Sequence, residues 1–410
     1  MQMTFFPRSL RFAILIALIC LFVVHTGSFA QPAAAQTTTP AAKKVQPQKK
    51  ATPKAKSPQK SPAKKNSTRK KTGAGVAAAA AVQTNFAKRD EWHNIQTFID
   101  DMVARHQFDK EELTALFSQL RFAEKIIPLV KPAPTSSKPK DWQSYRARFV
   151  DPVRTRNGIQ FWQEHADALK RAERQYGVPA EIIVAIIGVE TRYGRYTGNF
   201  RVLDVLTTLA FNYPEAPNRA SRMAFFLREL EQSLLFARES NIDPLSLLGS
   251  YAGAIGWPQF MPGSIRAYAV DFDGDGVIDL RNSPVDAIGS VANFLKAHGW
   301  EAGLPTGFPA IVPVNENDIG WKSLLGRGLR AISNINDLTT VNITSPATLP
   351  ADLRYGLIDL PNAHIPTEYW LVTNNFYAIT HYNRSYFYAM SVVDFSRALR
   401  TGYDAVNTPK

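Results

Sequence analysis
Residues 178–194 read VPAEIIVAIIGVETRYG, and the fold turns on them. Pro179 suits a first helical turn, and Gly194 suits the left-handed position just past a helix end. Between them Ile182, Ile183, Val184, Ala185, Ile186, Ile187 and Val189 are apolar almost all round, the pattern of a helix buried in the middle of a domain. Glu190 falls in the last turn and shares a face with Ile183, Ile186 and Ile187. It also lies at the negative end of the helix dipole, where a negative charge is disfavoured. Both effects push a carboxyl pKa upward, as a general acid acting on a glycosidic oxygen requires. Pairing with Arg192 or Arg195 would hold it down instead.

Outward from this helix the chain changes character at both ends. At residues 1–30, Arg8 and Arg11 precede an apolar run from Phe12 to Val24, and Ser28-Phe29-Ala30 offers small residues for cleavage, which reads as an export signal. The run is short for a transmembrane helix, so it would anchor the chain only if uncleaved. Cys20, the single cysteine, lies inside it, so the mature body would hold neither disulfides nor cysteine-ligated metals. Residues 31–84 form a low-complexity linker of Ala, Pro, Thr, Gln, Ser and Lys, whose composition cannot bury a core. Of the 48 basic residues, 2 lie in the signal and 12 between Lys43 and Lys71, which leaves 34 against 35 acidic ones in a nearly neutral body. The excess charge therefore belongs to the tail. Its SPQK and SPAKK repeats resemble tails that lie along DNA phosphates. Behind an export signal they point instead to anionic cell-envelope polymers, and no nucleic-acid partner is expected.

The globular body begins near residue 85 and reads as mainly α, an α+β chain with a small β-containing region. Helical spacing runs from Glu91 to Gln107, and Asp109 with Glu112 caps a helix expected through Phe122. Pro128–Lys140 reads as a loop and Asp141–Tyr176 as two helices. Further helices are expected at Val202–Asn212, Ala220–Ser240, Pro244–Leu248 and Ser385–Thr401. Short alternating stretches at Ala310–Val314 and Leu338–Ile343 predict strands, as does Tyr369–Phe376. Region boundaries follow at 85–175 (helical), 176–303 (the core around Glu190), 304–368 (β-containing) and 369–404 (a strand and helix completing the core).

Two further segments carry chemistry. Leu248–Pro262, LGSYAGAIGWPQFMP, sets three glycines among aromatics, which lets backbone approach a ligand while rings stack on sugar faces and amides read hydroxyls. Ser250, Tyr251, Trp257, Gln259 and Phe260 are its candidates; the alternative is a tightly turned structural loop. Asp271–Asn282, DFDGDGVIDLRN, follows the calcium-loop pattern, with Asp271, Asp273, Asp275 and Asp279 at positions 1, 3, 5 and 9, Gly276 at 6 and the Val277 carbonyl at 7. Position 12 is Asn282 rather than a bidentate glutamate. A metal-free acidic turn is the alternative to a structural calcium ion.

With these motifs in order, the chain resembles the lytic murein transglycosylase B family, glycoside hydrolase family 103. The resemblance rests on IIGVETRYG, LDVLTTLAFNYP, GSYAGAIGWPQFMP, YAVDFDGDG and PVDAIGSVANFLKAHGW, continues at HYNRS and is weaker upstream at WQSYRARF. It implies a lysozyme-like helical core with an additional helical region and a small β-rich region. It implies cleavage of the β-1,4 bond between N-acetylmuramic acid and N-acetylglucosamine in periplasmic peptidoglycan, leaving a 1,6-anhydromuramoyl end. Glu190 matches the family's acid and then base, and no second carboxylate is needed because the substrate's N-acetyl group stabilises the cation. Ser250 and Gln259 would contact sugars near the scissile bond, and Phe260, Tyr382, Asn383 and Tyr145 would line the cleft. Phe294 departs from a tyrosine found in related sequences. Asp286 is the implied further calcium ligand, in a structural and not catalytic role, with no cofactor for the chemistry itself. Asp204, between Leu203 and Val205, reads as structural rather than as a paired carboxylate. A hydrolytic muramidase and a non-catalytic glycan- or calcium-binding scaffold are the competing functions.

Overall fold
A computed structural model describes residues 85–131, 139–313 and 320–407, so the export signal and the basic linker lie outside the described residues. Fourteen α-helices are present among them, in chain order α1 (Trp92–His106), α2 (Lys110–Ser118), α3 (Ile127–Val130), α4 (Trp142–Arg146), α5 (Pro152–Glu164), α6 (Ala166–Tyr176) and α7 (Ala180–Thr191). Then follow α8 (Val202–Phe211), α9 (Arg219–Glu239), α10 (Pro262–Tyr268), α11 (Pro284–Ala297), α12 (Ile335–Thr340), α13 (Asn374–Thr380) and α14 (Tyr386–Asn407). No described helix is long and apolar enough to cross a membrane.

The organising helix is α7. Every residue from Ile182 to Thr191 is buried, as an apolar circumference demands. It packs against α5, α6, α11 and, most extensively, α14, whose apolar face carries Tyr388, Ala389, Val392, Val393 and Phe395. Helix α7 starts one residue later than a first-turn Pro179 would place it, because Pro179 is the extended N-cap. It ends in three consecutive left-handed residues, Arg192, Tyr193 and Gly194. This turn folds the Tyr193 ring back beneath Gly188 and Gly158. A Cβ at Gly188 would lie 2.4 Å from the Tyr193 hydroxyl oxygen, so a glycine is required there.

Several sequence expectations shift. Helix α2 stops at Ser118 rather than Phe122: Asp109 accepts the Glu112 amide as its cap, and Gln119 closes the far end. Pro128 lies in the first turn of α3 rather than in a loop, where its missing N–H costs nothing. Asp141–Tyr176 holds three helices, because Asp151 starts a new one by accepting from the amides of Val153 and Arg154. Pro244–Ser246 is a single 3₁₀ turn. Leu338–Ile343 is not a strand. Asn334 and Asp337 form a reciprocal capping box that starts α12, and this local bonding outweighs the alternation. The Tyr369 strand ends at Val372, where Thr373 caps α13 by accepting the Asn375 amide.

Strands β1 (Phe200–Arg201) and β2 (Leu248–Gly249) form a short antiparallel pair beside α8. Strands β3 (Gly307–Ala310), β4 (Gly356–Leu360) and β5 (Glu368–Val372) form an antiparallel sheet in the order β3-β5-β4. Since β5 is the middle strand, the sheet runs across the 368/369 boundary read from the sequence. Alternate residues face opposite ways. Leu357 and its partner Leu371 join Trp321, Leu324, Leu338 and Tyr355 in a small second core, while Ile358, Leu360 and Val372 face the main one.

Candidate active site
Glu190 sits at the last full turn of α7, 4% exposed. Its Oε1 accepts a hydrogen bond of 2.6 Å from the Tyr388 hydroxyl of α14. Burial pushes the Glu190 carboxyl up to about 7, and the Tyr388 donor, which favours the charged form, opposes this in part. No neighbouring carboxylate contributes. Of the two arginines that could have held the pKa down, Arg195 is exposed and the Arg192 guanidinium lies over the Tyr196 ring at 5.9 Å. A carboxyl with this ionisation, fixed by a single donor, can deliver a proton near neutral pH and take one back.

The glycine-rich segment forms the facing wall. Thr191, next to Glu190, donates from Oγ1 to the Trp257 carbonyl at 3.0 Å and accepts from the Gly194 amide, which ties the end of α7 to this loop. Gly198 (φ +84) lets the backbones touch: a Cβ there would lie 2.2 Å from the Gly249 carbonyl oxygen. Ser250 closes the turn, its amide donating to the Ala254 carbonyl at 2.8 Å and its Oγ accepting the Ala254 amide at 3.0 Å. The hydroxyl proton is left as the group that can point outward. Gln259 is held in the left-handed region (φ +52), and its Nε2 donates to the carbonyls of Gly256 (2.9 Å) and Thr197 (3.2 Å). Both amide hydrogens are thereby used, so Oε1 is its available atom.

The aromatic candidates divide. Tyr251 and Phe260 are buried, and Trp257 donates its indole N–H to the Arg281 carbonyl, so these rings build the wall rather than offer open faces. Phe260, Phe294 and Tyr382 form one cluster, with ring centroids 4.7–5.7 Å apart. The Tyr382 hydroxyl donates to the Pro258 carbonyl at 3.0 Å, and Asn383 is 8% exposed beside it. Half-buried Tyr145 packs on Phe387, the neighbour of Tyr388, at 5.4 Å. Asp204 takes a structural place, accepting from Arg201 through both carboxylate oxygens at 2.8 Å.

Tyr388 and Thr191 were not singled out by the sequence reading. Thr191 adjoins the acid and was within reach. Tyr388 lies 198 residues away, and only its position three beyond HYNRS hinted at it.

In the acidic loop, oxygens of Asp271, Asp273 and Asp286 lie within 4.8 Å of one another. Asp286 is buried and accepts the amides of Phe272 (2.7 Å), Asp273 (3.2 Å) and Asp279 (2.8 Å). The other predicted ligand side chains turn elsewhere. Asp275 accepts the Val277 amide, and Asp279 accepts those of Arg281 and Asn282. Of the ligand set read from the sequence, the structure therefore gathers Asp271, Asp273 and Asp286, while the Asp275 and Asp279 carboxylates cap their own turns. Val277 is 51% exposed.

Comparison with known proteins matches residues 90–397 to a family described as "Transglycosylase SLT domain". The chain is 44% identical over 313 residues to the membrane-bound lytic murein transglycosylase B of Escherichia coli (strain K12), covering 75% of this chain and 82% of that one. It is similar to the solved structure of the Escherichia coli lytic transglycosylase Slt35 in complex with calcium, at a TM-score of 0.67 and 41% identity over 78% of this chain and 95% of that one. It is also similar to SltB3 from Pseudomonas aeruginosa in complex with NAG-NAM-pentapeptide, at a TM-score of 0.64 and 29% identity over 76% of this chain and 80% of that one.

Proposed function
The chain belongs to the transglycosylase SLT domain family, and from that premise we propose that Glu190 carries both proton transfers of the reaction. The protein is a peptidoglycan lytic transglycosylase with a lysozyme-like, mainly helical fold. Protonated Glu190 gives its proton to the glycosidic oxygen as the bond from C1 of N-acetylmuramic acid breaks. The resulting carboxylate then takes the proton of the sugar's own 6-hydroxyl while that oxygen bonds to C1, closing a 1,6-anhydro ring. Atoms balance without water. The observation that carries this is one buried carboxyl poised near neutrality by burial and a single tyrosine, with no carboxylate partner acting on it. Ser250 and the Oε1 of Gln259 address the sugars, and Tyr382, Asn383 and Tyr145 border the cleft, braced from behind by Phe260. Mass spectrometry of muropeptides released from purified peptidoglycan tests the reading. Products one water lighter than hydrolytic ones are expected; fully hydrated products would make the enzyme a muramidase, and none at all a binding scaffold.

The regions 85–175, 176–303 and 369–404 act as one catalytic body, and 304–368 as an accessory around the small sheet. Residues 1–30 direct it to the periplasm, and the basic linker meets anionic envelope polymers there. The relative named as membrane-bound supports placement at the envelope.

Calcium suits the acidic loop, since Asp271, Asp273 and Asp286 offer hard oxygen donors at close quarters, and Slt35 was solved with that ion. When bound, the ion would neutralise three crowded carboxylates and fasten the loop to α11 through Asp286. At a hundredfold excess over its Kd it would stabilise the fold by about 2.7 kcal/mol. That is a rise of about 5 °C in Tm for a body of this size. The rise should reverse with chelator and vanish in Asp271→Asn/Asp273→Asn; an unmoved Tm in millimolar calcium would count against the site.

A further inference from the structure
A concavity of about 230 Å³ lies beside the substrate wall, lined by Arg121, Lys125, Asn199, Phe200, Arg201 and Asp204 among others. It adjoins the sugar-reading loop directly. Asn199, Phe200 and Arg201 continue the segment whose Thr197 carbonyl anchors Gln259 and whose Phe200 pairs with Gly249 in the β-ladder. Its charge is unbalanced. Asp204 spends both oxygens on Arg201 and accepts the Arg121 backbone amide at 2.9 Å, so its charge is matched within the wall. The side chains of Arg121 and Lys125 are exposed, and neither forms an ion pair among the described residues. What remains is a small concave site with two uncompensated cations, one of them a guanidinium suited to bidentate carboxylate recognition.

We propose that this concavity is a subsite for a carboxylate of the peptide carried by the muramic acid of the substrate, so that Arg121 and Lys125 select glycan strands still bearing stem peptides. The proposal rests on the reaction assigned above, since it needs a muramic acid seated next to Glu190. An extended peptide spans ~3.5 Å per residue, so one of three or four residues extends about 10–14 Å from its sugar. A phosphate-bearing envelope polymer offers the same anionic chemistry without the covalent link to the sugar, and the test separates the two.

The experiment compares Arg121→Glu/Lys125→Glu with the wild type on peptide-bearing peptidoglycan and on glycan strands stripped of peptide by an amidase. Each exposed pair contributes about 0.2–1 kcal/mol. The expected result is therefore a KM about three- to tenfold higher on peptide-bearing strands, with kcat unchanged, and no change on stripped strands. Arg121→Lys/Lys125→Arg should retain most of the wild-type KM, and the wild-type preference should shrink with added salt. Equal effects on both substrates, or none on either, would overturn the proposal. So would a variant that loses only its binding to polyphosphate. Failure of the wild type to cleave either substrate would instead remove the assigned reaction, which sets the two failures apart.

Discussion
Glu190→Gln should release muropeptides about 10²- to 10⁴-fold more slowly than the wild type, the range carried by a positioned general acid and base. Glutamine keeps the volume of the side chain, and its amide oxygen can still accept the Tyr388 hydroxyl, so α7 and α14 remain packed. What it lacks is a proton to give and a lone pair basic enough to take one back. Both halves of the reaction pass through the same group, so no second carboxylate makes good the loss. The measurement is the rate of muropeptide release at saturating peptidoglycan, with thermal unfolding run in parallel. A variant that folds normally and retains more than a tenth of the activity would show that another group protonates the leaving oxygen. Tyr388→Phe should have a smaller effect, since it leaves the acid in place and alters only its orientation and ionisation.

The acid was legible in the sequence for a physical reason. Past its first turn, where Glu181 pairs with Arg400 near the surface, the helix is apolar all round and has no solvated face, so the carboxylate in its last turn is buried, and burial sets its pKa. The loop opposite was legible as a segment through its glycines but not atom by atom. Nothing in GWPQF tells that the Gln259 amide hydrogens are taken by the carbonyls of Gly256 and Thr197, or that Trp257 turns inward to Arg281. The Tyr388 contact was out of reach, because it depends on how α14 lies along α7. In the acidic loop, spacing alone cannot say which aspartates face a common centre. Asp271, Asp275 and Asp279 all accept nearby amides, an option every short carboxylate in a tight turn has, so only the folded loop brings Asp271 and not the other two to Asp273 and Asp286. The misread stretch at Leu338–Ile343 has the same origin. Its alternation is real, but Asn334 and Asp337 offer the backbone a capped helix first.

The ionisation of Glu190 also couples catalysis to stability, and the same substitution exposes this. An exposed glutamate titrates near 4.3, whereas burial holds Glu190 up to about 7 in the folded chain. Below the lower value both the folded and unfolded chains carry the proton, and the group places no charge in the core. As pH rises through the lower value the unfolded chain releases its proton, while the folded chain must keep it or bury a charge until pH passes about 7. Stability is therefore lost between about pH 4.5 and 7, by on the order of 3 kcal/mol at 1.36 kcal/mol per unit of pKa difference. Glu190→Gln has no proton to lose. Its stability relative to the wild type, from urea unfolding at each pH, should grow across that window and level off above it. A difference that stays constant from pH 5 to 9 would mean the carboxyl ionises as an exposed one does. Wild-type activity should fall as pH passes through about 7, at the upper edge of that window, because the form the fold tolerates is the form that donates the proton. Tyr388→Phe removes the donor that favours the carboxylate, so the alkaline limb of activity and the fall in stability should both move to higher pH. Joint movement of the two curves is what one buried group serving both roles requires.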